Sequence, residues 1–325
     1  MSIITDIRLI DREAWAQLVA VSPTATWFQT PEAYDFYASI PEILTPFVVA
    51  VTRETSASLV GVCVGYVSMA SNPFVQYFTR RAIIFGGPLL AEDIKDEELS
   101  PLLLTVSELV CNKAIYVETR NFQSFANWEP VFESCGFMYK PHYDMHIDCA
   151  NREQMISLIH ESKRRHIRKM ESEGVQIVEA SSPQEVHDYY VLLHHLYRHK
   201  VHRPVFAEAF FQRFVADKRG VLLLAKQNNV VLGGVLCPIL PSTAIYEWYL
   251  VGPGIVMWAA MDYANKHSIP IFDLMGGGKP DREYGVRNFK QQFGGYMCQF
   301  GRYLKINNRV LYALGKFGIE KLKVG

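Results

Sequence analysis

The stretch FDLMGGGKPDREYGVRNFKQQFGG, residues 272–295, concentrates backbone and side chains suited to holding an anionic ligand. Three consecutive glycines, Gly276, Gly277 and Gly278, follow an apolar strand-like run and give a backbone that can turn sharply and approach a ligand closely. Lys279, Arg282, Arg287 and Lys290 add positive charge, while Asp273, Asp281 and Glu283 are the nearby carboxylates able to accept a proton. A loop position or a helix cap is the plainer role for each of these acids. The G-x-x-x-x-G-K-[ST] spacing of a phosphate-binding loop is absent, and no G-x-G-x-x-G opens a helix here. Nucleotide hydrolysis and hydride transfer therefore lack their usual signal.

A second cationic group, Lys163, Arg164, Arg165, Arg168 and Lys169, lies in REQMISLIHESKRRHIRKMESEG (152–174). This segment reads as one helix, capped by Asp148 or Asn151 and stopped by Gly174. Arg164 and Arg168 share one face, with Arg165 and Lys169 on the next. They form either a solvated helix end that complements the dipole or a phosphate or diphosphate clamp, for which the planar guanidinium fork is suited. In LLHHLYRHKVHRP, His195, His199 and His202 have the i, i+4, i+7 spacing of a possible zinc face, but no H-E-x-x-H glutamate accompanies them and Pro204 ends the helix. The expectation there is a basic surface or substrate-facing segment, and no metal is assigned.

The elements that must carry these residues occur twice. An aromatic amphipathic segment (31–43), the strand FVVAV (47–51), a polar turn RETSAS and the strand LVGVCVGYVS (59–68) are echoed by a helix at 207–220, VLLLAK (221–226), a turn at Gln227-Asn228 and VVLGGVLCPI (230–239). A helix (100–114) then leads to the strand IYVETR (115–120), as one at 255–268 leads to PIFDLMGGG (270–278). Hairpin, helix, strand, built twice, predicts an α+β protein of two tandem domains, each a mixed, mainly antiparallel sheet flanked by helices. The boundary is expected at residues 1–148 and 149–325, with the strand HYDMHIDC (142–149) closing the first and the last helix able to return to it.

Composition agrees. The chain has 325 residues, 49% of them apolar, enough for two folded cores and against disorder. The 33 Lys+Arg balance 33 Asp+Glu, which argues against a DNA coat but permits local basic patches. Gly and Pro interrupt the uncharged stretches 59–78 and 230–246, so these are expected as core strands rather than membrane spans. Six scattered cysteines and a charged first segment predict reduced thiols in a cytoplasmic protein.

On Gly136-Phe137, Asp144 to Asp148, KRRHIRKMESEGV (163–175), YEWYLVG (246–252), WAAMDYANKHSIP, FDLMGGG and YGVRNFKQQFGG, the sequence resembles the Fem-type (FemA/FemB/FemX-like) aminoacyltransferases, built from two tandem acetyltransferase-like (GNAT) domains. WFQTPEAY (27–34) and Gly86-Gly87-Pro88 extend the resemblance more loosely into the first half. It implies transfer of an aminoacyl group from aminoacyl-tRNA to an amine of a cell-wall or surface-glycan precursor bearing a diphosphate, with a tRNA acceptor end as transient partner, no resident cofactor, no transmembrane segment and at most peripheral membrane contact. Phe289 and Lys290 match the family's Phe-Lys pair, and Lys290 would contact the reacting ester. Arg164, Arg165 and Arg168, with Lys169, would bind the diphosphate. Tyr249 would line the acceptor pocket near Asp273 and the loop of Gly276, Gly277, Gly278, Lys279 and Tyr284.

An ester attacked by an amine develops an oxyanion, which a cation held about 3 Å away can stabilise by roughly 3–4 kcal/mol. Lys290 is the candidate for that cation and Asp273 a candidate base. The coiled-coil arm of some Fem enzymes is absent. The Q/R-x-x-G-x-G/A loop of acetyl-CoA-dependent GNAT enzymes is not found either, residues 291–296 coming nearest. Two alternatives stand beside the tRNA-dependent reading: an acyl-CoA-dependent N-acyltransferase acting on a nucleotide-linked amino sugar, and a non-catalytic binding protein of the same fold.

Overall fold

The computed structural model describes residues 1–53, 58–68, 73–202 and 204–322. The turn expected at 53–58 lies largely outside them. Two compact units are present, one of Met1–Pro141 with Phe300–Gly325, the other of His142–Gln299.

The first seven strands are β1 (Ser2–Ile4), β2 (Leu44–Thr52), β3 (Leu59–Ser68), β4 (Ala82–Phe85), β5 (Leu89–Leu90), β6 (Tyr116–Arg120) and β7 (Met138–Lys140). Among them stand the helices α1 (Arg12–Val21), α2 (Pro31–Ala38), α3 (Pro73–Thr79), α4 (Asp96–Val110) and α5 (Glu129–Ser134). The chain continues through β8 (Asp144–Asp148), α6 (Arg152–Leu158), α7 (Glu161–Ser172), β9 (Gln176–Glu179), α8 (Pro183–Leu196) and α9 (Glu208–Ala216). Next come β10 (Gly220–Gln227), β11 (Val230–Leu240), β12 (Ala244–Tyr246), β13 (Tyr249–Val251), α10 (Ile255–Lys266) and β14 (Ile271–Asp273). It ends with α11 (Gly285–Gln291), β15 (Tyr296–Cys298), β16 (Arg302–Ile306) and α12 (Arg309–Leu322).

One sheet runs β1-β2-β3-β4-β6-β16-β7 with β5 against β3; the other runs β9-β10-β11-β12-β14-β8-β15 with β13 against β11. The two orders are the same plan. In each, one pair is parallel, β4 with β6 and β12 with β14, and the remaining pairs are antiparallel. In each sheet the sixth strand stands outside the sequence order of its neighbours: β8 precedes everything else in its sheet, and β16 follows the whole second unit. The strand at 142–149, expected to close the first domain, thus pairs with β14 and β15 in the second, while β16 joins β6 and β7 in the first. The expected crossing after residue 148 lies after Pro141, and the return covers a strand as well as the last helix. Alternating apolar side chains fit Asp144–Asp148 equally well to either sheet, so local pattern could not choose between them.

Local chemistry accounts for the element ends. Thr30 caps α2 through Ala33 N with Pro31 at its first position, and Ser182 and Glu185 form a capping box ahead of α8. Asn228 and Asn229, both at positive φ, close the β10–β11 hairpin. The helix expected at 152–174 is two helices. Ile159 is extended and buried, His160 caps α7 by accepting from Ser162 N, and His160 N donates to Gln292 O at 2.8 Å. Gly174 does end α7, with Val175 N bonded to Met170 O.

The first core packs Leu99, Leu102, Leu103, Val106 and Val110 of α4 on β2, β3 and β6. The second packs α10, buried from Ile255 to Met261, against Val221, Leu223, Val235, Ile245 and Phe272. Burying a side chain of this size contributes about 1.5–3 kcal/mol.

Candidate active site

In the second unit, Tyr246 ends the parallel pairing of β12 with β14, and β13 resumes at Tyr249 paired with β11. Glu247 lies in this break. Its N–H still bonds Asp273 O at 2.8 Å, and Trp248 N bonds Leu236 O, so the strand stays on β11 as it parts from β14. The Glu247 side chain is 10% exposed; its Oε1 sits 3.2 Å from Lys290 Nζ, and its Oε2 is buried with no hydrogen-bond partner among the described residues. Burial raises the Glu247 carboxyl above its ordinary range, and Lys290 opposes this.

Lys290 comes from α11 and is 5% exposed. Besides Glu247, its ammonium donates to Leu274 O and, at 3.3 Å, to Gly276 O. Its three N–H groups thus have three protein oxygens to serve.

Asp273 at the end of β14 accepts Met275 N at 2.7 Å, and its other oxygen is 3.3 Å from His146 Nε2. Asp144 Oδ1 accepts Met145 N and Gly276 N, each at 2.7 Å. Asp144, His146 and Asp273 bring one ligand atom each within 4.8 Å of one another, all three buried. Burial, then the charge of Asp273, pushes the Asp144 carboxyl up to about 8. Burial works against the His146 imidazolium, but the neighbouring Asp273 and Cys298 side chains and the charges of both aspartates hold it up at about 11. One imidazole and two carboxylates at this spacing are also a donor set that could hold a metal ion.

These acids and Lys290 fix the glycine loop. Met275 (φ 49°) and Gly276 (φ 119°) turn the chain out of β14, which ends the strand expected to run to Gly278. Tyr143 N bonds Gly278 O and Gly277 N bonds Tyr143 O, returning the loop to β8. Gly278, at φ 81°, lies under Tyr284, whose ring would stand 2.8 Å from any Cβ there. Arg287 donates to Gly277 O at 2.6 Å, to Arg282 O at 3.1 Å and to Lys279 O, with its guanidinium over the Tyr143 ring. Two of the four cations counted in this segment, Arg287 and Lys290, are thus spent on the protein's own carbonyls. Lys279 and Arg282 remain exposed.

The basic helix comes to the same region. Lys163 Nζ lies 4.7 Å from the Phe289 ring centroid, and its side chain reaches toward Gly254 at the start of α10. Ile167 and Met170 are buried in the second core, which turns Arg165, Arg168 and Lys169 to solvent with Arg164 half-buried. Lys169 pairs with Glu173 at 3.6 Å; Arg164, Arg165 and Arg168 pair with no carboxylate among the described residues. The structure thus joins the two cationic segments through Lys163 and Phe289.

Tyr249 is placed differently from the expectation. Its ring packs with Tyr197, Phe206, Phe210, Phe211 and Trp248, and its carbonyl accepts from Tyr189 Oη at 2.9 Å. Asp281 and Glu283 are exposed on the loop. The histidine row breaks: α8 ends at Leu196, a π-helical turn covers Tyr197–Val201, and His202 is left-handed, while the rings of His195 and His199 meet tilted with centroids 4.4 Å apart.

Two features escaped the sequence reading. Glu247 is one acid in YEWY, with no motif around it. Tyr249-Leu250-Val251-Gly252-Pro253-Gly254 has the x-x-x-G-x-G spacing sought at 291–296, with Tyr in place of Gln or Arg, and it runs directly into α10. The strand-to-helix step that follows this spacing was the available signal.

No family profile and no curated protein matches the chain. Solved structures do. FemX aligns over 97% of this chain and 99% of its own at TM-score 0.71 and 15% identity. A tandem GNAT protein from the clavulanic acid biosynthesis pathway aligns over 94% and 98% at TM-score 0.58 and 11% identity. L-PGS from Bacillus licheniformis aligns over 94% and 96% at TM-score 0.57 and 10% identity. Among the described residues no helix is long and apolar enough to cross a membrane. The chain has the FemX-like fold of two tandem GNAT-like domains, as its sequence resemblance implied.

Proposed function

We propose that the protein is an acyltransferase that moves an aminoacyl group from aminoacyl-tRNA to the amine of a diphosphate-bearing cell-wall or surface-glycan precursor, with Glu247 as the proton acceptor. The observation that carries this reading is the buried, unpartnered Oε2 of Glu247 at the point where β12 and β14 part. The amine nitrogen attacks the ester carbonyl carbon and forms the C–N bond. Glu247 Oε2 takes the proton the nitrogen must lose. The C–O bond to the ribose then breaks, the ribose oxygen takes that proton back, and an amide and free tRNA result.

Lys290 has a different part from the one expected of it. With Glu247 Oε1, Leu274 O and Gly276 O around its ammonium, it holds the base and the loop in register, a positioning residue whose charge also favours the developing oxyanion. Asp273 supports Met275 and His146 and is spent in doing so. Arg164, Arg165 and Arg168, which pair with no carboxylate among the described residues and follow the Lys163 that packs on Phe289, are the cations for a diphosphate. The likeness to FemX supports the tRNA donor. The Gly252-Pro253-Gly254 turn into α10, which no side chain caps, favours a second donor, acyl-CoA, whose diphosphate suits the positive end of a helix.

Purified protein given charged tRNA and, separately, acyl-CoA, each with a panel of amine acceptors, tests both. Transfer from charged tRNA that falls in Glu247→Gln supports the first reading; transfer from acyl-CoA alone replaces it with the second. Transfer from neither leaves a binding protein of the same fold.

A further inference from the structure

The first unit carries a cluster of charged side chains of its own on one face of its sheet. Along β6, Tyr116, Glu118 and Arg120 alternate with the buried Val117 and Thr119 and so share the opposite face of the sheet. The register sets Ile83 and Leu304 beside Glu118, and Phe85 and Arg302 beside Arg120. Arg81 precedes β4 in phase with Ile83 and Phe85.

Glu118 Oε1 accepts from both Arg120 Nε at 2.7 Å and Arg302 Nη1 at 3.0 Å. Burial opposes the carboxylate, yet Arg302, Arg120 and Arg81 together hold it down at about 2. Arg81 pairs with no carboxylate among the described residues. Even with Arg302 neutralised in full, Arg81 and Arg120 share Glu118 alone and one positive charge stays uncompensated. The Arg120 and Arg302 side chains are 24% and 26% exposed, partly desolvated yet open to solvent. Arg120 is held flat over the Phe85 ring, 5.1 Å from its centroid, and Tyr66 lies against the same ring.

We propose that Arg81, Arg120 and Arg302 bind a phosphate or diphosphate group, independently of the transfer reaction. Three guanidinium groups on one face of the adjacent strands β4, β6 and β16 present more N–H donors than the two oxygens of Glu118 accept, and the several oxygens of a phosphate suit the surplus.

The test is a calorimetric titration of the full chain carrying Arg164→Ala, Arg165→Ala, Arg168→Ala and Lys169→Ala together, so that the cationic clamp of α7 is removed, with inorganic phosphate, pyrophosphate or acetate. Pyrophosphate or phosphate is expected to bind and acetate not. Arg81→Gln, which breaks no ion pair, should weaken binding by about tenfold while leaving thermal stability unchanged. Glu118→Gln should tighten it, because the competing carboxylate charge is gone; a merely structural role for Glu118 would not do that. Absence of binding, equal binding of acetate, or unchanged affinity in both Arg81→Gln and Glu118→Gln would overturn the proposal.

Discussion

The two units share one plan and differ at one strand break. In the first, Gly86 N bonds Arg120 O at 2.8 Å where β4 ends; in the second, Glu247 N bonds Asp273 O at the same distance where β12 ends. The positions correspond strand for strand, with β5 and β13 each resuming against the hairpin strand. Yet Gly86 has no side chain, and Gln29 Nε2 closes over it by donating to Gly86 O and Gly87 O at 3.1 and 2.9 Å. Where the second unit has His146 beside Asp273, the first has Arg302 beside Arg120. A duplicated fold can thus keep its backbone hydrogen bonds while one copy holds a buried acid and the other a half-buried cation, which is why fold alone does not assign chemistry.

The most severe way to break this contrast is to neutralise Glu247. Glu247→Gln keeps an oxygen for Lys290 and removes the proton acceptor, so transfer should fall by about 10²–10⁴ in kcat/KM with stability near wild type. A variant with full activity would make the second break as idle as the first. Lys290→Ala tests the same pair from the other side. It strands a buried carboxylate and should cost about 3–5 kcal/mol in a denaturant titration. Arg120→Ala should cost visibly less, because Glu118 keeps Arg302. Equal losses would erase the distinction between a lone buried pair and a shared one.

Gly86→Ala probes the closed break. Its φ of 79° disfavours a side chain, and a Cβ would stand 2.5 Å from Thr26 Oγ1. The expected loss is about 1–3 kcal/mol in stability, with activity per folded molecule unchanged. A drop in specific activity would show that the first break contributes to transfer.

Much of this could be read before the fold was in view, and the parts that could not share a cause. The repeated hairpin–helix–strand order is local pattern, and so are the cations of α7 and the glycine turn after β14. The exchange of β8 and β16 is invisible to local pattern because their alternation suits either sheet. The break of the helix at Ile159-His160 depends on Gln292, far away in sequence. Lys290 was legible as a residue, but its three acceptors were not, and Glu247 gains its meaning only from Lys290 across the sheet. Charge counted along a segment also overstated the free cations, since Arg287 serves backbone carbonyls.

The smallest expected effect separates the units by the sign of their response to pH. In the second unit the folded chain keeps a proton on Asp144 up to about 8 and on His146 up to about 11, whereas the unfolded chain releases them near about 3.9 and 6.5. The folded state binds more protons between those values. The Asp144 contribution is full below about pH 4 and lost as pH rises toward 8, at up to about 1.4 kcal/mol per pH unit. In the first unit Glu118 is held down at about 2, so its contribution is present above about pH 4.3 and lost as pH falls toward 2. Amide exchange resolves the two, because Gly276 N donates directly to Asp144 Oδ1 while the amides of β6 report on Glu118. Protection at Gly276 should fall from about pH 5 to about pH 7.5 after correction for intrinsic exchange, and should become flat in Asp144→Asn, whose amide oxygen can still accept but cannot ionise. Protection along β6 should hold over that range in both proteins. A Gly276 response that survives Asp144→Asn, or a parallel loss along β6, would mean that the loop is not held by the buried acid.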